Sequence, residues 1–233
     1  MNWMKKVAVA LVCLLPLGLQ AAKVDTLQVK SPSMNKSIEV VVVSPDVAAT
    51  KACPVIYLLH GYGGNARTWV GIKPDLSKIA DEKGIFFVCP DGKNTWYWDS
   101  PLNADVRYET FISDELVKYV DSHYKTVADR KGRAITGLSM GGHGAMWNGL
   151  RHSDVFSAAG STSGGVDIRP FPKNWEMSVQ IGEKAKYPEN WEKYTVINLV
   201  PTLRKDQIAL IFDCGDSDFF LEVNKNYHEA LLK

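Results

Sequence analysis

Seven short runs, either continuously apolar or alternating between apolar and polar residues, predict β-strands. In chain order they are TLQVKS, SIEVVVVSP, PVIYLLHG, GIFFVCPDG, RAITG, VFSAAGS and IALIFDCGD. The run PVIYLLHG, Pro54 to Gly61, is apolar up to its histidine, which is typical of a strand buried on both faces. The first two runs are close enough along the chain to pair with each other.

Segments with helical spacing separate most of these runs. The predicted helices are 74–83, 108–124, 139–151 and the final segment FFLEVNKNYHEALLK. In the second helix Phe111, Leu116, Val117 and Val120 lie on one side, as in a helix that packs on a core. Strands that alternate with helices predict an α/β fold with a mostly parallel, doubly wound sheet flanked by helices.

One segment, from about Val166 to Gln207, interrupts this alternation before the last strand. It is rich in Trp, Lys, Pro and Glu, and its periodicity is weak. Two interpretations stay open: an insertion that forms a lid or pocket wall over the strand ends, or a decorated crossover with no role in binding.

The first 22 residues have the pattern of a signal peptide. Lys5 and Lys6 precede the short apolar run VAVALVCLLPLGL, and the small residues of QAAK follow it. The run is too short to span a bilayer comfortably. We therefore expect cleavage near Ala21 or Ala22, a mature domain at 23–233 without a membrane anchor, and a periplasmic or secreted product.

Composition narrows the possible functions. The 27 Lys and Arg residues nearly balance 26 Asp and Glu residues, and no basic stripe predicts nucleic-acid binding. No motif implies a metal or an organic cofactor. Cys53, Cys89 and Cys214 follow the signal, none with zinc-ligand spacing, and the sequence leaves their disulfide state open, as it leaves the oligomeric state.

The motif GLSMG, Gly137 to Gly141, is the strongest chemical signal. An apolar strand precedes it and a helical segment follows it. A serine on so tight a turn has its hydroxyl exposed at the end of the sheet, and the helix N-terminus offers amides to developing negative charge. The sequence therefore predicts Ser139 as a nucleophile.

The glycine-rich segment LLHGYGG, Leu58 to Gly64, predicts the other half of an oxyanion hole. Two backbone amides can hold the charge that acyl transfer places on a carbonyl oxygen. We expect them to be those of Met140, directly after the nucleophile, and Tyr62, favoured over Gly61.

The acid of a catalytic triad follows the nucleophile in chain order in this type of site. IFDCGDSDFF offers Asp213 in the strand, and Asp216 and Asp218 in the loop after it. The residues alone only slightly favour Asp218, because an unused aspartate there can cap the following helix.

From about Val40 to Lys233 the chain resembles the putative-esterase family of α/β-hydrolases. The resemblance rests on five segments, in this order: HGYGGN, WYWDSP, YETFISDELVKYVD, GLSMGGHGA and CGDSDFF. That family includes esterase D-like S-formylglutathione hydrolases, feruloyl and acetyl-xylan esterases, and mycolyl transferases. The resemblance implies the α/β-hydrolase fold, Ser139 as nucleophile, Asp218 as acid, and Tyr62 and Met140 as the oxyanion hole. It also places Trp96, Tyr97 and Trp98 in a segment that lines the acyl pocket, although a tryptophan is as often plain core.

The sequence departs from the family at the catalytic histidine. The family carries that residue after one further strand, whereas this chain ends fifteen positions after Asp218. None of its five histidines matches that position; they are His60, His123, His143, His152 and His228. We therefore expect the C-terminal strand and histidine loop to be missing from 23–233, and the chain as written to be nearly inactive.

The favoured function is an exported serine carboxylic-ester hydrolase that releases acetyl or feruloyl groups from plant polysaccharide. Its expected partner is a small-molecule or polysaccharide-linked ester. Two alternatives stay open: an acyltransferase of the mycolyl-transferase type, and a catalytically retired carbohydrate-binding protein.

Overall fold

The computed structural model of the chain describes residues 22–233, and the predicted signal peptide lies almost entirely outside them. These residues form one seven-stranded sheet with the order β1-β2-β4-β3-β5-β6-β7. The strands are β1 (Lys23–Ser31), β2 (Lys36–Ser44), β3 (Val55–Leu59), β4 (Phe86–Pro90), β5 (Arg133–Gly137), β6 (Ala158–Thr162) and β7 (Ala209–Asp213). All seven strands predicted from the sequence are present.

Strand directions divide the sheet into two parts. β1 and β2 pair as an antiparallel hairpin with Val29 opposite Ile38, and β2 is also antiparallel to β4. The strands β4, β3, β5, β6 and β7 are all parallel to their neighbours. The structure therefore confirms the mostly parallel sheet and the pairing of the first two strands.

Helices cover both faces of the sheet. They are α1 (Thr68–Ile72), α2 (Leu76–Lys83), α3 (Tyr108–Thr110), α4 (Leu116–His123), α5 (Met140–Arg151), α6 (Met177–Ile181), α7 (Pro188–Lys193) and α8 (Leu221–Leu231). A π-helical turn, Phe111–Glu115, joins α3 to α4, so the helix predicted over 108–124 is nearly continuous. The predicted apolar side of this helix is buried.

Successive valines of β2 point into two separate hydrophobic cores. Val40 and Val42 belong to the larger core, beneath α4, α5 and α8, whereas Val41 and Val43 belong to a smaller core beneath α1 and α2. Side chains of a strand alternate between the faces of its sheet, so a continuous apolar run supplies both cores.

The segment between β6 and β7 forms the short helices α6 and α7 and a 3₁₀ turn, Val196–Thr202. It packs on the larger core through Met177, Ile181 and Trp191. In the part of the chain that the structure describes, no helix is long and apolar enough to cross a membrane.

Candidate active site

The turn between β5 and α5 holds Ser139 in the left-handed region, with φ 54° and ψ −116°. Its amide donates to the Thr162 carbonyl oxygen at 2.9 Å, which ties the turn to the end of β6. The residue is partly exposed, while Met140 directly after it is buried. An L-residue adopts this backbone only where its surroundings enforce it, as they do at strained functional turns. The predicted nucleophile therefore lies at the carboxyl ends of the parallel strands and is open to solvent.

Two glycines make this turn possible. A side-chain carbon at Gly137 would lie 2.4 Å from backbone atoms of Gly141, and one at Gly141 would lie 2.1 Å from the Leu59 carbonyl oxygen. Real side-chain carbons do not approach so closely, so strand β3, the turn and helix α5 can pack together only without side chains at these positions. This contact is the physical reason for the spacing of G-x-S-x-G.

The glycine-rich loop after β3 lies against the nucleophile turn. A side-chain carbon at Gly61 would be 2.7 Å from Leu138 Cδ1 and 3.5 Å from Ser139 Cβ. Within residues 22–233, the amides of Tyr62 and Met140 donate no hydrogen bond to another protein group. Two free donors beside the serine, with the N-terminus of α5 behind one of them, can hold an anionic oxygen.

His60 fixes the position of this loop through hydrogen bonds. Its Nδ1 donates to the Gly61 carbonyl oxygen at 2.7 Å, and its Nε2 accepts from the Gly92 amide at 2.9 Å. The Tyr97 hydroxyl donates to the His60 carbonyl oxygen at 3.0 Å. Burial alone would raise the pKa of the neighbouring Asp91, but its contact with His60 and the hydrogen bonds and charge of Lys93 lower it to about 2.

The three aromatic residues assigned to the acyl pocket lie in the core. Trp96, Tyr97 and Trp98 are at most 1% exposed. Trp96 stacks on Trp98, and the Trp98 indole donates to His143 Nε2 at 2.8 Å. In this conformation their rings support the loops of the site and do not line an open surface, which favours the plain-core interpretation.

Both ring nitrogens of His143 are also in hydrogen bonds. Besides accepting from Trp98, the ring donates through Nδ1 to the Gly165 carbonyl oxygen at 2.8 Å. Burial lowers the pKa of His143 to about 4, against a smaller opposing effect of that hydrogen bond. His143 therefore stays neutral near pH 7 and connects helix α5 to two loops.

The other three histidines lie away from the nucleophile. His152 follows the end of α5 and contacts Glu109 at 2.8 Å, whereas Ser139 precedes the start of that helix. A helix of this length separates its ends by roughly 18 Å. His123 ends α4 and stacks on Tyr119. His228 lies beside Phe212 of β7, two strands from β5.

The three aspartates after β7 differ in their contacts. Asp213 and Asp216 are exposed and Asp218 is partly exposed. The Asp218 carboxylate accepts from the Phe220 amide at 2.8 Å, just before α8 begins. That contact closes a local turn before α8, whose N-terminal residue Phe220 has no side-chain cap, so Asp218 does not have the capping role that the sequence left open. The role of Asp218 as a catalytic acid stays a prediction.

Sequence reasoning overlooked two polar residues at the rim of the site. Asn94, in the loop after β4, accepts from the Gly63 amide at 2.9 Å and donates to Glu176 in the segment before α6 at 3.2 Å. The position of Asn94 just beyond the carboxyl end of a parallel strand was the available signal. No sequence signal marked Glu176, because it lies in the segment with weak periodicity between about Val166 and Gln207.

The thiols and acidic side chains of the described residues form neither a disulfide nor a metal cluster. Cys53, Cys89 and Cys214 are free. Among residues 22–233, no group of three or more His, Cys, Asp or Glu side chains could hold a metal ion.

A mostly parallel sheet in which an inner strand, β5, leads through a strained serine turn into a helix defines the α/β-hydrolase fold. The family model described as "Putative esterase" matches residues 31–231. The chain belongs to that family.

Characterised relatives and solved structures are similar over much of the chain. Esterase MT1326 of Mycobacterium tuberculosis is 31% identical over 149 residues, which cover 61% of this chain and 32% of that esterase. An acetyl esterase of Caldicellulosiruptor saccharolyticus is 25% identical over 194 residues, 76% of this chain and 70% of that enzyme. The structure of a ferulic acid esterase superposes with a TM-score of 0.74 at 29% identity and covers 91% of this chain and 86% of its own. The match thus spans about a third of the mycobacterial esterase.

Proposed function

We propose that this chain is a serine ester hydrolase that works through an acyl-enzyme on Ser139. The observation that carries the proposal is the partly exposed Ser139, beside the amides of Tyr62 and Met140, which have no protein acceptor within residues 22–233. The serine oxygen would attack the ester carbonyl carbon as its proton passes to solvent water. The carbonyl oxygen would take the negative charge between the two amides, and the alcohol would leave with a proton. Water would then hydrolyse the acyl-serine bond.

The proposed substrates are carboxylic esters of acetyl or feruloyl groups on plant polysaccharide. Two relatives support this choice by name, an acetyl esterase and a ferulic acid esterase. The basic and apolar start of the sequence supports export to the periplasm or the medium, where polymeric substrates are found. Asp218 is the proposed acid of the site.

We also propose that the chain hydrolyses esters slowly, because within residues 22–233 no histidine side chain forms a hydrogen bond with Ser139. The ring nitrogens of His60 and His143 are already hydrogen-bonded. His152 lies at the far end of α5. Without a base, the oxyanion hole and substrate binding alone give roughly 10³ to 10⁴-fold acceleration over water.

A fluorophosphonate probe tests the nucleophile. We expect slow labelling of the wild-type chain at a single serine, because the oxyanion hole acts there without a histidine base, and no labelling of Ser139→Ala. Ser163→Ala is the matched control, because Ser163 also has a left-handed backbone, with φ 48°. Labelling that survives in Ser139→Ala, or a wild-type chain that never reacts, would contradict the proposal.

Turnover of 4-nitrophenyl acetate tests the missing base separately. We expect a slow rate that His→Gln substitutions at His123, His152 and His228, which do not support the loops of the site, leave within about twofold. A fast rate that one of these substitutions abolishes would show that a histidine of this chain is the base.

A further inference from the structure

Three loops meet at the rim of the site through a chain of hydrogen bonds. The Gly63 amide, in the loop after β3, donates to Asn94 Oδ1 at 2.9 Å. Asn94 Nδ2 donates in turn to Glu176 Oε2 at 3.2 Å. One half-buried side chain thus connects the glycine-rich loop beside Ser139 to the segment inserted before α6.

Packing does not fix the position of Gly63. A side-chain carbon added there would meet no atom within 4 Å, and its φ of 76° lies in the left-handed region. The turn around it closes through one backbone bond, from the Gly64 amide to the Gly61 carbonyl oxygen at 3.0 Å. The contact with Asn94 is therefore the side-chain interaction that holds this peptide.

The orientation of this peptide matters for the chemistry of the site. The Gly63 amide belongs to the peptide unit that follows Tyr62, so its direction sets ψ at Tyr62. The Tyr62 amide shares a peptide unit with the Gly61 carbonyl, which accepts from His60 Nδ1 at 2.7 Å and from the Gly64 amide at 3.0 Å, so Asn94 fixes the other side of Tyr62. Amides of an oxyanion hole act only when they are oriented in advance.

Glu176 determines which way the Asn94 amide faces. A carboxylate accepts hydrogen bonds and cannot donate them, so it attracts the NH₂ group of Asn94 and leaves the carbonyl oxygen for Gly63. Glu176 is itself fixed by an unusual backbone: Trp175 and Glu176 have φ of 47° and 53°. The Trp96 indole donates to the Trp175 carbonyl oxygen at 3.1 Å and secures this turn.

The side chain of Tyr62 lies near the same carboxylate. Partial burial raises the pKa of Tyr62, and the neighbouring carboxylate of Glu176 raises it further. Glu176 is therefore close to the Tyr62 side chain and bonded to Asn94, and Asn94 holds the peptide that follows Tyr62.

We propose that Asn94 and Glu176 are positioning residues that orient the Tyr62 amide toward the oxygen of the substrate carbonyl. This inference rests on the proposed function, because it assigns a role within the same site. It also gives the inserted segment a specific role, since the segment supplies the carboxylate that orients Asn94.

Exchanging the two side-chain types tests the proposal. Asn94→Asp places two carboxylates against each other, and their repulsion opens the link. Glu176→Gln alone keeps an acceptor for Asn94. The double variant Asn94→Asp/Glu176→Gln restores the chain with reversed polarity, because the introduced glutamine would donate to the introduced aspartate, and that aspartate would accept from the Gly63 amide.

The first measurement is the rate of Ser139 labelling by the fluorophosphonate probe, with thermal unfolding of each variant alongside. We expect Asn94→Asp to slow labelling roughly tenfold, less than the hundredfold or larger loss typical of removing a donor outright. Glu176→Gln should slow labelling by a few-fold, because glutamine can also donate and no longer fixes the orientation of Asn94, whereas the double variant should label within about twofold of wild type. If Asn94 and Glu176 acted only on stability, the labelling rate of each variant would follow its melting temperature. Wild-type labelling in Asn94→Asp, or a double variant as slow as Asn94→Asp, would overturn the proposal.

The second measurement needs no chemistry at Ser139. Hydrogen exchange at the Gly63 amide, followed by NMR, should be faster in Asn94→Asp and return to the wild-type rate in the double variant. If the wild-type serine never reacts, the proposed function fails, and amide exchange alone decides whether the link exists. Equal exchange in all four proteins would overturn it.

Discussion

At Gly141 one added methyl group would lie 2.1 Å from the Leu59 carbonyl oxygen, inside the contact between β3 and α5. The oxygen belongs to a buried strand and cannot move aside. The local sequence G-x-S-x-G thus encodes a tertiary contact, and it predicted Ser139 correctly as the residue of the strained turn.

Gly141→Ala should therefore destabilise the protein, although alanine is the better helix former. We expect a loss of about 3 kcal/mol or more in the free energy of unfolding, the range of severe overpacking. Urea unfolding followed by circular dichroism measures it.

Gly71→Ala is the matched control. Gly71 is also a helical glycine, in α1, but a side-chain carbon there would meet nothing within 4 Å. We expect a gain of up to about 1 kcal/mol from helix propensity. Equal effects of the two substitutions would show that the contact with Leu59 does not limit the turn.

The sequence could not decide whether three aromatic residues line a pocket or belong to the core: Trp96, Tyr97 and Trp98. The sequence placed three aromatic residues in a loop, and either a pocket wall or plain core was consistent with that. Trp96 and Tyr97 have φ of 58° and 60°, and this backbone turns their rings inward. Glycine contacts at Gly92 and Gly144 hold the Tyr97 ring there. No sequence pattern encodes such contacts, because they come from distant segments.

At the scale of elements, His143 connects α5 to two loops, those of Trp98 and Gly165. The folded protein keeps this imidazole neutral, with its pKa lowered to about 4 by burial. In the unfolded chain the group has its ordinary pKa, and therefore binds a proton at a higher pH. Stability from this residue is complete above about pH 6.5 and is lost as the pH falls toward 4.

His143→Gln tests this pH dependence. Glutamine can accept from the Trp98 indole and donate to the Gly165 carbonyl, and it does not titrate. We expect wild type to lose about 2 kcal/mol more than the variant between about pH 6.5 and pH 5, since one pKa unit corresponds to about 1.4 kcal/mol. Urea unfolding at several pH values measures the two slopes, and identical slopes would contradict the prediction.

Elements with strong periodicity were predicted well, and those without it were not. The helix over 108–124 was evident from Phe111, Leu116, Val117 and Val120, all of which are buried. The helices α6 and α7 were not predicted, because their five and six residues are too short to carry a clear period. The antiparallel pairing of β2 with β4 is likewise a property of the assembled sheet.

At the scale of the whole molecule, β7 is an edge strand of the described sheet, and its centre is apolar. The Ile211 side chain is 77% exposed. An exposed apolar edge has unpaired backbone groups that can pair with another chain. The described molecule therefore has an apolar sheet edge that is open to pairing with another chain.

Ile211→Lys should slow aggregation on heating, because a charge on an edge strand disfavours pairing with a second edge. Light scattering during a thermal ramp measures it, and the free energy of unfolding should change by no more than about 0.5 kcal/mol. Val179→Lys is the matched control, because Val179 is 65% exposed but lies on helix α6. A similar benefit from both lysines would mean that net charge, rather than the strand edge, controls aggregation.

The free thiols of the described residues can report local unfolding of the protein. Cys53 and Cys89 are inaccessible inside the two cores, whereas Cys214 is partly exposed after β7. An alkylating reagent can reach the two interior sulfurs only when the surrounding strands separate. The order in which the three sulfurs become modified would therefore record which side of the sheet comes apart first.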